Sequence, residues 1–150
     1  MKKNRGFTLT ELIIVMAIIA ILILIATPKL LGYIEKTKEA TELSDVRTLY
    51  TGAIGAIVFE TAQSGISVDW TDPTFDYLEL AIKESTNITD KMLLKTYATF
   101  SSVIYFANNN PDCWIVCYGI KGEVIDPNAD IYIVAPSGTI YENGTTKIEY

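Results

Sequence analysis

From Leu12 to Ala26 the chain reads LIIVMAIIAILILIA, fifteen apolar residues in succession. Extended back to Phe7, the stretch covers twenty residues with one charge, Glu11. Twenty helical residues span about 30 Å, the thickness of a bilayer's hydrocarbon core. A plain soluble globule and a disordered chain are both excluded by this run. Ahead of it stands MKKNRG, whose Lys2, Lys3 and Arg5 keep the start of the segment on the cytoplasmic side. The whole chain has 150 residues, enough for one domain carried on that segment.

Glu11 is the awkward residue. A carboxylate near the bilayer costs several kcal/mol unless it is paired, so it marks function by default. A secretory signal with a cut near Ala26 gives it no reason to be there. A simple membrane anchor gives it none either. A third reading supplies a partner, and it starts from the residues around Glu11.

Gly6-Phe7-Thr8-Leu9-Thr10-Glu11-Leu12, behind a short basic leader and ahead of an unbroken apolar run, resembles the class III signal of type IV pilins and pseudopilins. Pro28, soon after the run, also matches, whereas Thr10 departs from the aliphatic residue commoner there. The resemblance is close over residues 1–34, generic to about residue 62, and says little about residues 63–150. It implies cleavage between Gly6 and Phe7 by a prepilin peptidase, and N-methylation of Phe7. Residues 1–6 are then the lost leader, and the mature chain carries 9 bases against 18 acids. The freed Phe7 ammonium becomes the partner of Glu11, one helical turn away in the same chain or on a neighbouring subunit. Such a pair neutralises two charges in an apolar bundle and sets axial register.

The resemblance further implies a subunit held in the cytoplasmic membrane. An assembly platform and motor then extract it into a homopolymeric surface filament used in motility or adhesion. Glu11 fits a polymerising subunit better than a tip initiator. Within the family, a pseudopilin of a type II secretion system and a minor or competence pilin remain open. Outside it stands a membrane-anchored small binding domain. The missing long-loop disulfide leans toward a Gram-positive source.

Beyond Pro28, which should kink the helix or melt it between Ala26 and Gly32, helical periodicity resumes. Leu43, Val46, Leu49, Tyr50, Ala53, Ile54, Ile57 and Val58 form one stripe, with Glu35, Lys36, Lys38, Glu39, Glu42, Asp45 and Arg47 opposite. Gly52 and Gly55 each weaken the helix by about 1 kcal/mol; close approach of a sheet and mere tolerance explain them equally well. Ser64-Gly65 should end the helix near Gln63. From Phe7 that is about 57 residues, or roughly 85 Å.

Residues 64–150 are the head. Trp70-Thr71-Asp72-Pro73 reads as a turn, with Asp72 capping a short helix from about Pro73. A second short helix is expected from Thr89, capped by Thr89 or Asp90. Val103–Ala107, Cys113–Ile120, Asp130–Ala135, Thr139–Glu142 and Lys147–Glu149 read as strands. The turns between them are Asn108-Asn109-Asn110-Pro111, Lys121-Gly122, Asp126-Pro127-Asn128, Pro136-Ser137-Gly138 and Asn143-Gly144. Their short spacing predicts an antiparallel meander packed on the second half of the helix, an α+β fold.

The head offers little catalytic chemistry. The chain has no histidine, no phosphate loop and no Ser/His/Asp set, so no enzymatic role and no cofactor is expected. Cys113 and Cys117, four apart in a strand, lie about 13 Å apart, beyond disulfide reach, so two thiols are expected. A local bridge across a bulge is the other reading. Asp126, Asn128 and Asp130 alternate like calcium-loop ligands, but Ile131 occupies the place of the loop glycine and no far-end Glu follows. A polar turn explains them as well. Asn87-Ile-Thr89 and Asn143-Gly-Thr145 match the glycosylation pattern. Trp70 and Trp114 read as core or sheet-face residues. From Glu60 onward 13 acids face 5 bases, which disfavours nucleic acid as a partner.

Overall fold

The structure, a computed structural model, describes residues 7–64, 74–86, 88 and 91–150; the side chains of 60, 63, 64, 74–78 and 85 are left aside. It divides into two compact units, residues 1–40 and 41–150. Helix α1, Leu9–Ser64, contributes to both.

In the first unit the apolar run is helical throughout and exposed, with Leu12 to Leu24 and on to Ile34 open along the helix. This helix is long and apolar enough to cross a membrane. It continues without a break through Pro28, so the melted stretch anticipated between Ala26 and Gly32 is not found. Proline has no N–H for the carbonyl of Leu24. One residue earlier the Thr27 hydroxyl donates to the Ile23 carbonyl at 2.7 Å, and Thr37 does the same to Tyr33 at 2.8 Å. Such back-bonds satisfy the threonine hydroxyl within the helix, at the expense of a slight tendency to bend it.

In the second unit α1 is described as far as Ser64, and Gly65 lies outside the described residues. The next helix among the described residues is α2, Thr74–Thr86. Asp72 and the 70–73 turn, like Trp70, lie outside the described residues. Strand β1, Met92–Tyr97, then replaces the helix expected after Thr89. Thr89 and Asp90 themselves lie outside the described residues. Six residues are too few to hold a helix without packing, and here they pair in parallel with β2, Met92 opposite Trp114 through Tyr97 opposite Gly119.

The connection between β1 and β2 is helix α3, Phe100–Asn109, where a strand was expected at Val103–Ala107. A parallel pair needs such a crossover. Phe100, Val103, Ile104 and Ala107 recur at helical spacing and pack on the sheet. The asparagines read as a turn instead close the helix: Asn109 Nδ2 donates to the Tyr105 carbonyl and Asn110 Nδ2 to that of Phe106, at 2.8 and 3.0 Å. The Phe106 carbonyl also accepts the Asn110 backbone N–H, at 3.1 Å, which closes the last turn.

Strands β2 (Trp114–Lys121), β3 (Val124–Ile125), β4 (Ile131–Val134), β5 (Ile140–Glu142) and β6 (Thr146–Ile148) follow. The sheet order is β1-β2-β4-β5-β6, with β3 folded back on the end of β2. Every pair except β1–β2 is antiparallel. The expected meander is therefore right for β2 to β6 and acquires a parallel edge strand. The fold is α+β, a long helix packed on an antiparallel-rich sheet.

Both faces of β2 are buried. Trp114, Val116 and Tyr118 join Val46, Leu49 and Ala53 of α1, Ile82 of α2 and Ile133 of β4 in one core. Ile115 and Cys117 join Val103 and Ala107 of α3, Val134 and Ile140 in the other. The α1 stripe is narrower than its sequence suggested, since Ile54 is 37% and Val58 60% exposed. They flank a cavity of about 200 Å³ that Tyr50, Pro127, Ala129 and Asn143 also line. Glu42 does not belong to the solvated side either: its Oε1 accepts from the Tyr141 hydroxyl at 2.8 Å.

Candidate functional site

The first turn of α1 carries Glu11, the residue marked most strongly by the sequence. Gly6, half of the expected cleavage site, lies outside the described residues. Phe7 precedes the helix and is 79% exposed. Thr8 and Glu11 form a reciprocal cap. The Thr8 backbone N–H and hydroxyl donate to Glu11 Oε2 at 2.9 and 2.8 Å, and the Glu11 N–H donates to Thr8 Oγ1 at 3.2 Å. The Thr8 carbonyl accepts the first helical bond, from the Leu12 N–H at 3.2 Å. This is the Thr-x-x-Glu capping box, which satisfies N–H groups that a helix start leaves unpaired. Thr8 was missed as a functional residue, although the spacing Thr8-Leu9-Thr10-Glu11 is itself the signature of the box.

Glu11 thus has a partner before any charged one is supplied. Its Oε2 is engaged by Thr8, and no bond to its Oε1 is made among the described residues. In the uncut chain the Phe7 nitrogen is a peptide amide, so the ammonium invoked from the sequence arises only on cleavage.

The other candidates are dispersed through the head. Cys117 is fully buried in β2, and burial pushes its thiol up to about 12, slightly opposed by Lys95. Cys113 is half-buried just before β2, and both thiols are free. Asp126 Oδ1 accepts from the Asn128 N–H at 2.9 Å, which closes a local turn. Asp130 Oδ1 accepts instead from Asn143 Nδ2 at 2.7 Å. Of the three calcium candidates, Asp126 and Asn128 thus bond to each other while Asp130 bonds elsewhere. Among the described residues no group of three His, Cys, Asp or Glu side chains could hold a metal ion. Of the two glycosylation matches, Asn87 lies outside the described residues, and the Asn143 amide is committed to Asp130.

Close approaches are made at Gly144 and Gly119, and none at Gly55. Nothing stands within 4 Å of a Cβ built on Gly55. A Cβ on Gly144 would meet Tyr50 Cβ at 2.7 Å, and one on Gly119 would meet Ala129 Cβ at 2.3 Å. At Gly144 the β5–β6 turn thus comes directly against Tyr50 of α1. Nearby, the Tyr118 hydroxyl crosses from β2 to donate to the Ala53 carbonyl of α1 at 2.9 Å.

Comparison with known proteins agrees with the motif. The family model described as the prokaryotic N-terminal methylation motif matches residues 1–27. Two fimbrial proteins of Pseudomonas aeruginosa are 47% identical over 58 residues, which is 39% of this chain and 38% of theirs. The type IV major pilin protein PilA of Myxococcus xanthus (strain DK1622) is 45% identical over 49 residues, 33% of this chain and 22% of its own. The matched stretch thus spans less than two fifths of those relatives' length. No solved structure gives a significant match. Through its amino-terminal motif and this shared stretch, the chain is similar to the type IV pilins.

Proposed function

We propose that this chain is a pilin, the structural subunit of a type IV pilus. It is cleaved after Gly6, methylated at Phe7, and polymerised with other copies of itself into a surface filament serving motility and adhesion. One observation carries the reading: a methylation motif leads directly into a helix whose apolar residues are exposed all along its first unit. In water that surface is unsupportable. Lipid covers it while the subunit waits in the cytoplasmic membrane, and neighbouring subunits cover it in the filament.

In this reading the protein is acted on by enzymes rather than being one. The prepilin peptidase removes the leader; an assembly platform and motor extract the helix. Glu11, oriented by Thr8, then meets the Phe7 ammonium and fixes how far one helix slides past the next. The head, held to α1 by Val46, Leu49 and Ala53, forms the outer surface. Shearing cells and analysing the released filaments tests the proposal. This chain should be a component that disappears with its gene. Filaments unchanged in composition and number after deletion would overturn it.

A further inference from the structure

Asn143 and Gly144 occupy the turn between β5 and β6, where the Thr145 N–H donates to the Glu142 carbonyl at 3.2 Å. Both residues have positive φ, 49° and 74°, a backbone region that Asn and Gly accept more readily than other residues; with Glu142 opposite Thr146 the loop spans residues 143–145. Asn-Gly suits this turn, and it is also the dipeptide most prone to deamidation. Lacking a Cβ, glycine leaves its nitrogen open to the preceding side chain. That nitrogen attacks Asn Cγ and the side-chain Nδ2 departs as ammonia. Water then opens the resulting succinimide to aspartate or isoaspartate.

Here the side chain that must move is held at both ends. Asn143 Oδ1 accepts from the Ile131 N–H at 3.0 Å, and Nδ2 donates to Asp130 Oδ1 at 2.7 Å. The partners fix the amide's orientation, since an N–H requires its oxygen and a carboxylate requires its NH₂. The Asn143 N–H itself donates to the Ile131 carbonyl at 2.9 Å. Gly144 is buried and seated against Tyr50. To bring Cγ onto the Gly144 nitrogen, the side chain must release both Ile131 and Asp130.

We propose that Asn143–Gly144 is a fold-gated modification site: deamidation is barred while the β5–β6 turn is seated and proceeds, with water as the only co-reactant, once it opens. The product cannot reseat as before. An aspartate at 143 would bring a second carboxylate to the 2.7 Å contact now made with Asp130 Oδ1, an acceptor facing an acceptor of the same charge. Opening is thereby recorded covalently, at the turn where the sheet touches α1.

The test uses the full chain in detergent micelles, held at mildly alkaline pH with and without denaturant, with peptide mapping in ¹⁸O water to count conversion at residue 143. Conversion should be roughly tenfold or more slower without denaturant, as expected for a site that must open first. Asp130→Ala should speed conversion in the folded chain. Asn143→Asp should lower the thermal midpoint, and the exchanged pair Asn143→Asp with Asp130→Asn should restore it by returning one donor and one acceptor to the contact. Equal rates with and without denaturant would overturn the proposal. So would an exchanged pair no more stable than Asn143→Asp alone.

Discussion

Thr8 and Glu11 exchange three hydrogen bonds across the first turn of α1, so the sole charge of the apolar segment is held by its own helix before it meets another subunit. Cap and charge can be separated. Glu11→Ala loses both and should leave membrane insertion intact while filament yield falls sharply. Glu11→Gln keeps the box, because glutamine caps as glutamate does, but has no charge for the Phe7 ammonium. If charge sets register, Glu11→Gln should assemble as poorly as Glu11→Ala. Thr8→Ala should cost about 1 kcal/mol of helix stability and reduce assembly less. Fractionation for insertion and shearing for yield read all three, and normal yield from Glu11→Ala would sink the assignment.

The two glycines Gly144 and Gly55 should respond oppositely to alanine. At Gly144 a methyl group meets Tyr50 and the positive φ penalises any side chain, so Gly144→Ala should lose about 1–3 kcal/mol. At Gly55 the space is open and the residue lies within α1, so Gly55→Ala should gain about 0.5–1 kcal/mol. Denaturant midpoints monitored by Trp114 fluorescence would measure both. Destabilisation at Gly55 would mean that something covers that side of the helix.

Tyr118 ties β2 to α1 through a buried hydroxyl. Tyr118→Phe keeps the ring and removes the donor to the Ala53 carbonyl, which should cost about 0.5–1.5 kcal/mol. The same denaturant series reads it, and an unchanged midpoint would show that this hydrogen bond contributes nothing net.

Alkaline pH should loosen the head. Burial pushes the Cys117 thiol from its ordinary 9.0 up to about 12. Burial, then the Asp130 carboxylate, pushes the Tyr97 hydroxyl from 10.0 up to about 12. The Tyr118 and Tyr132 hydroxyls move upward too, chiefly through burial. Above about pH 9 the unfolded chain releases the thiol proton while the folded chain keeps it. The unfolded state then binds fewer protons, and stability falls as pH rises. These contributions are complete below about pH 9 and are lost progressively toward about pH 12. Urea midpoints from about pH 8 to about pH 11 should decline, and Cys117→Ala should flatten the slope. A midpoint that holds steady or rises would contradict the burial of these groups.

Much of this was legible in the sequence, for identifiable reasons. The apolar run, Glu11 and the Gly6-Phe7 step are local signals that need no tertiary context. Strands β2, β4, β5 and β6 showed themselves because Gly122, Gly138 and Gly144, all at positive φ, punctuate them. Strand β1 and helix α3 did not. Leu93 and Leu94 fit either periodicity, and β1 is a strand because β2 pairs with it. Val103–Ala107 has the β-branched and aromatic content of a strand, but its i, i+4 spacing is what packs against the sheet, so tertiary contact overrode propensity. The part played by Gly144 was hidden because it depends on Tyr50, ninety-four residues earlier in the chain.

The identity of the mature amino terminus tests the central claim most directly. Mass spectrometry of the amino-terminal peptide from membranes and from sheared filaments should find N-methylated Phe7 in both, with residues 1–6 gone and Glu11 retained. A chain still beginning at Met1, or one beginning beyond Ala26, would contradict it, because the helix that reads as filament core would then be either never processed or discarded.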